Sequence, residues 1–292
     1  SLHDALPILL EIEIKRKMTM HKRLALILLS LIIFLAGCDY SKKENQTGFF
    51  YNLFVKPMDS LLHFLGRLFN DNYGLAIIVI VLIVRFILLP LMVIQVKNMH
   101  MMREKTNVVK PELDAIREKI KKADTQEERN AANQLLMKKY KSYGINPFKN
   151  MIGCFPVIIQ IPILMGLYMS LKYPTSDGIT KYPHFLWFNL TEPNLIMTII
   201  AASMYFIQPL VNSIHYPKDQ RKTYYVIMVV SPIFITYASL TSASALGLYW
   251  SISAAFLIVQ MHLAHSYYGK QAKKEAAKLK DQLELNQANK TE

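Results

Sequence analysis

Five stretches of this chain are apolar almost to the last residue, and each is about as long as a membrane crossing. They cover about residues 74–96, 152–171, 194–211, 224–240 and 246–266. An α-helix of about 20 residues crosses a hydrocarbon layer of ~30 Å while satisfying all of its own backbone N–H and C=O groups. The predicted fold class is therefore all-α, a polytopic membrane protein with five transmembrane helices. Composition agrees: 52% of the residues are hydrophobic, and Lys, Arg, Asp and Glu crowd between the apolar blocks. Cys38 and Cys154 are the two cysteines, too few for a disulfide framework or a metal cluster.

A net charge of +13 would suggest nucleic acid in a soluble chain. In a membrane protein it has a simpler source, because cytoplasmic loops are enriched in Lys and Arg. Segment 97–150 holds thirteen of them, the tail 267–292 holds six, and loop 214–223 holds Lys218, Arg221 and Lys222. Segment 39–73 has four, and loop 172–192 has Lys172 and Lys181. In a five-span arrangement every rich segment falls on one side. That side is predicted to be the cytoplasm, with the N-terminus outside and the C-terminus inside.

The start of the chain agrees. Residues His21 to Cys38 read HKRLALILLSLIIFLAGC, a basic region, a short apolar core and a small-residue end, as in a secretory leader. Leu35-Ala36-Gly37-Cys38 matches the lipobox of bacterial lipoproteins, in which the Cys is diacylated and the leader is cut just before it. Residues 1–37 are expected to be the leader, beginning at Met18 or Met20, with 1–17 not native. Cys38 is expected to hold the mature chain to the outer face of a bacterial cell membrane through acyl chains. The alternative is a plain signal anchor with an incidental Cys.

Between Cys38 and residue 73 the expectation is a polar tether followed by an amphipathic, aromatic helix, FFYNLFVKPMDSLLHFLGRLF (49–69). Lys56, Asp59 and Arg67 make it too charged to span, so it should lie in the outer interface. Segment 97–147 reads as a cytoplasmic helical hairpin. Pro111 suits a first helical turn, Thr125 to Glu128 has capping-box spacing, and Gly144 with Asn146-Pro147 is a stop signal. The turn falls near Lys122–Asp124. Its apolar stripe (Ala132, Leu135, Leu136, Tyr140, Tyr143) is thin, so the hairpin is expected to be mobile. Residues 267–292 form a basic cytoplasmic tail.

Arg85 is the single Asp, Glu, Lys or Arg in any of the five apolar stretches, midway between Gly74 and Val96. An Arg at that depth costs at least about 2.5–3.5 kcal/mol. No span offers a carboxylate, and the midplane is too deep for snorkelling. Water in an intramembrane cavity would keep the charge solvated. Gln160, Gln208 and Gln260 could line such a cavity, as could Trp250; each has an ordinary alternative as a helix-packing or belt residue. A structural Arg that bonds carbonyls freed by Pro90, Pro156, Pro162, Pro209 and Pro232 is the other reading of Arg85.

The segments VRFILLPLMVIQ (84–95), MKKYKSYGINPFKNMIGCFPVIIQIPILMGLY (137–168) and ALGLYWSISAAFLIVQ (245–260) resemble the YidC/Oxa-type membrane protein insertases. The likeness covers about residues 50 to 268. With the leader and five spans it looks like the short Gram-positive-type form. The resemblance implies an insertase and chaperone without enzymatic chemistry or cofactor, acting on nascent membrane proteins alone or beside the Sec translocon. It implies a bilayer groove open to cytoplasm and lipid, with Arg85 at the groove arginine and Gln208 and Trp250 at its lining Gln and Trp. The basic tail could touch ribosomal RNA or anionic lipid. A small-solute or anion transporter that binds its cargo at Arg85 is the rival reading, but five spans without an internal repeat count against it. An intramembrane enzyme fares worse. No HExxH occurs, and Ser203 and Ser251 lack a base at their depth, since His262 and His265 fall near the inner end.

Overall fold

The computed structural model describes residues 47–146, 155–175, 177–218 and 221–291. The leader, Cys38, most of the tether, Cys154 and Pro147 lie outside the described residues. Two compact units divide the chain, 1–53 and 54–292, and the helices and sites below belong to the second.

Helix α1 spans Lys56–Leu68 with Pro57 in its first turn, where a missing N–H costs nothing. It is amphipathic, but Asp59 does not interrupt it on the wet side. Asp59 is 3% exposed. It lies 3.4 Å from His63 Nε2 and accepts hydrogen bonds from the Thr175 amide and hydroxyl. The acid therefore ties α1 to the segment after the second apolar helix. Asn70 and Asp71 turn the chain at positive φ, 53° and 63°, which short polar side chains tolerate best after glycine. Asn72 then caps α2 by accepting from the Leu75 amide at 3.0 Å.

Helix α2 runs Tyr73–Val108, 36 residues, so 97–108 continues the first span instead of opening the hairpin. Its N-terminal end is fixed by close packing. Tyr73 bonds His63 Nδ1 at 3.1 Å. A Cβ on Gly178 would sit 1.8 Å from the Tyr73 hydroxyl, and one on Gly74 would sit 2.0 Å from the Phe185 ring.

The hairpin helices are α3, Lys110–Lys122, and α4, Gln126–Ser142. Thr125 Oγ1 accepts from the Glu128 amide at 3.2 Å, and Glu128 Oε2 accepts from the Asp124 amide at 3.1 Å. This is a capping box shifted by one residue on its return bond. Gly144 ends α4 at φ +62°, and the Ile145 amide returns to the Tyr140 carbonyl at 2.8 Å. The expected stripe is split. Leu136, Tyr140 and Tyr143 pack with Val109, Leu113 and Ile145 against Leu279 and Leu283 of the tail. Ala132 and Leu135 instead line a cleft of about 630 Å³ between α3 and α4.

Helix α5 is Phe155–Lys172 and α6 the short turn Gly178–Lys181. Strands β1, His184–Phe185, and β2, Phe188–Asn189, pair antiparallel with His184 opposite Asn189. This two-residue ribbon is a small departure from the all-α expectation. Helices α7, Leu195–Ser213, and α8, Arg221–Leu240, follow. Helix α9 runs Ser244–Thr291, 48 residues, so the basic tail is the end of the fifth apolar helix.

Among the described residues three helices, α2, α7 and α9, are long and apolar enough to cross a membrane. Two shorter apolar stretches, Ile159–Lys172 and Tyr224–Leu240, lie in α5 and α8. The molecule is a nearly all-α membrane protein. Helices α2 and α9 share the most extensive interface, α7 packs on α9, and α8 packs on α7. The core between them holds Leu62, Ile77, Ile80, Leu167, Leu190, Ala201 and Ala245, all at 0% exposure.

Candidate functional site

Arg85 lies on α2, 8% exposed and facing α9. Its Nε donates to Ser253 Oγ at 2.9 Å, and its Nη2 donates to the same oxygen. Ser253 is fully buried. Tyr249 precedes Ser253 by four residues, one helical turn, and so shares its face. The phenols of Tyr249 and of Tyr205 on α7 are within electrostatic reach of the guanidinium. Tyr249 also accepts a hydrogen bond from Gln160 Nε2 on α5. Four helices thus contribute to one polar cluster inside an apolar bundle.

The arrangement leaves a charge weakly compensated. A guanidinium carries five donors and stays protonated in proteins. Among the described residues its hydrogen bonds go to one neutral hydroxyl, and no carboxylate or main-chain carbonyl accepts from it. The hydrogen bonds described for Arg85 are therefore not those of the Arg that ties down proline-freed carbonyls.

Of the residues singled out in the sequence, Arg85 and Gln160 join this cluster. Gln208 is half-buried on α7, three residues past Tyr205. Trp250 is 7% exposed and belongs to the main apolar core, three residues before Ser253. Gln260 lies elsewhere, in a cleft between α2 and α9 about two turns further along α9. Sequence reasoning missed Ser253, Tyr249 and Tyr205. The legible signal was the Tyr249/Ser253 pair at helical spacing. Ser251, which the sequence did bring forward, spends its hydroxyl on the Gly247 carbonyl of its own helix at 2.8 Å.

A second polar cluster joins the C-terminal part of α2 to the middle of α9. Arg103 Nη2 lies 3.0 Å from His100 Nδ1, and His100 Nε2 lies 2.9 Å from His265 Nδ1. Arg can only donate, so His100 must accept at Nδ1 and donate from Nε2. Arg103 also pairs with Glu104 at 3.0 Å, donates to the His215 carbonyl at 3.3 Å and lies 5.7 Å from the centre of the Tyr216 ring. His215 and His262 are 3.2 Å apart. No group of three or more His, Cys, Asp or Glu among the described residues could hold a metal ion. On the hairpin, the hydrogen bonds of Lys139 and then of Tyr143 hold the Glu112 carboxyl below its ordinary range.

The family model described as 60Kd inner membrane protein matches residues 64–272, which includes both clusters. A membrane protein insertase YidC 1 of Staphylococcus epidermidis is 79% identical over 270 residues, 92% of this chain and 97% of that one. A membrane protein insertase YidC of Staphylococcus aureus (strain Newman) is 58% identical over 255 residues, 87% and 88% of the two chains. That of Staphylococcus carnosus is 55% identical over 256 residues, 88% and 89%.

Proposed function

This chain belongs to the 60Kd inner membrane protein family, the YidC/Oxa-type membrane protein insertases, and on that premise we propose that it inserts nascent membrane proteins and helps them fold through a hydrated groove at Arg85. The observation that carries the groove is the buried guanidinium whose only described hydrogen-bond acceptor is a serine hydroxyl. Water is the partner that would lower the cost of such a charge. A polar, often acidic, segment of the substrate must cross ~30 Å of hydrocarbon. A wet groove midway shortens that path, and a cation in low dielectric attracts an acidic segment more strongly than it would in water. The substrate's apolar helix then leaves into lipid, where its burial favours release. Gln160 and Tyr249 supply further polar lining, and Gln208 and Trp250 flank the same level. The topology that goes with this reading has the N-terminus outside with Cys38 lipidated, and the hairpin and tail in the cytoplasm within reach of a ribosome.

Reconstituted insertion of a single-span substrate with an acidic translocated segment tests the reading. Arg85→Lys keeps the sign of the charge and should retain most activity. Arg85→Ala should lower insertion about tenfold, equivalent to ~1.4 kcal/mol, while the protein remains folded. Equal loss in both variants with a matching fall in melting temperature would make Arg85 a structural tie. Arginine-dependent uptake of a small anion without insertion would favour the transporter.

A further inference from the structure

A cleft of about 370 Å³ lies between α2 and α9, away from Arg85, with Leu89 and Val93 on one wall and Phe256, Leu263 and Ala264 on the other. Gln260 lines it too, is only 9% exposed, and its amide nitrogen has no hydrogen-bond partner among the described residues. Tyr267 and Tyr268 line the end nearer the tail. The Gln260 nitrogen is closed off from the cleft, so the slot presents an almost wholly apolar wall and suits an apolar chain.

The charges beyond the cleft narrow the choice. Lys97 follows Val93 by four residues and Lys270 follows Tyr267 by three, so each continues the face of a cleft residue. Both lysines are exposed. Paired tyrosines and lysines at one end of an apolar slot are the arrangement that meets the headgroup layer.

We propose that this cleft binds one anionic glycerophospholipid of the leaflet at the lysine-rich end. An acyl chain fills the slot, and the phosphate meets Lys97, Lys270 and the two phenols. A substrate helix is the wrong size. It is about 10–12 Å across and rises 5.4 Å per turn, so even one turn fills roughly 400–600 Å³. Unselective annular lipid also does not account for the site. The exposed Val226, Val230 and Phe234 of α8 offer it the face of one helix, whereas the cleft gives an acyl chain walls from two.

The full chain in vesicles containing a phosphatidylglycerol with a photoreactive acyl chain tests this, with adducts mapped by peptide mass. Adducts should concentrate on residues 89–93 and 256–268 over the α8 face. Unlabelled phosphatidylglycerol should displace them roughly thirtyfold better than phosphatidylcholine, what two lysines at a membrane surface supply at about 1 kcal/mol each. Leu263 is 63% exposed, so Leu263→Trp should block the mouth without disturbing the core and remove the concentrated adducts. Adducts no denser than on α8, or displacement by both lipids alike, would overturn the site. So would capture of a nascent chain, in place of lipid, by a photoreactive residue at position 263.

Discussion

Arg85 and Arg103 stand on one helix, eighteen residues and therefore five turns apart, so they share a face about 27 Å from each other along α2. Their surroundings differ. Arg103 is paired with Glu104, bonded to His100 and to the His215 carbonyl, and close to the Tyr216 ring. Arg85 has Ser253. Arg103 joins α2, the α7–α8 connection and α9 into one clasp. Arg85 holds a charge that the bundle hardly compensates. A fully partnered cation is a fastening, whereas a poorly partnered one keeps its field available for something that comes and goes.

The largest effect that separates the two is on stability. Arg103→Ala strands the largely buried Glu104 and leaves His100 without its donor. We expect a loss of roughly 3 kcal/mol, read as a lower melting temperature in detergent. Arg85→Ala strands no carboxylate, so its thermal curve should match the wild type while insertion falls. Similar melting losses in both variants would erase the distinction.

Ser253→Ala sharpens it further. In a wet groove water replaces the hydroxyl, and the cost should stay below about 1 kcal/mol. A dry site would lose a hydrogen bond to a charged group, about 1.5–3 kcal/mol, and that larger loss in a thermal melt would end the hydrated-groove reading. The smallest effect lies in the hairpin. Glu112 is held below its ordinary range, first by Lys139. Its contribution is therefore complete above the ordinary carboxylate range and disappears as pH falls through the lowered value. Amide exchange in α3 and α4 should quicken only in that acidic window, and Glu112→Gln should show the faster exchange at neutral pH as well.

The family, the all-α membrane class and the central arginine were all legible, because a lone charge and long apolar blocks are one-dimensional signals. What was not legible depends on which helix lies beside which. Ser253 looks like any small span residue until α9 is set against α2. Asp59 reads as a surface charge until the Thr175 segment returns to it. The hairpin stripe looked too thin because part of its apolar partner surface, Leu279 and Leu283, is more than 130 residues away in a segment whose lysines suggested solvent. Gln260 was grouped with Arg85 by membrane depth, but depth does not fix the direction a side chain faces.

Helices α2, α5, α7 and α8 each contain a proline: Pro90, Pro162, Pro209 and Pro232. Proline breaks the bonding ladder and gives a helix somewhere to bend. Helix α9 has none between Ser244 and Thr291. It is a torsion bar. Leu283, seated against the hairpin, and Ser253, seated on Arg85, lie on one unbroken rod about 45 Å apart. A twist applied where the hairpin grips that rod meets no proline joint before it reaches the Ser253 hydroxyl against the buried charge.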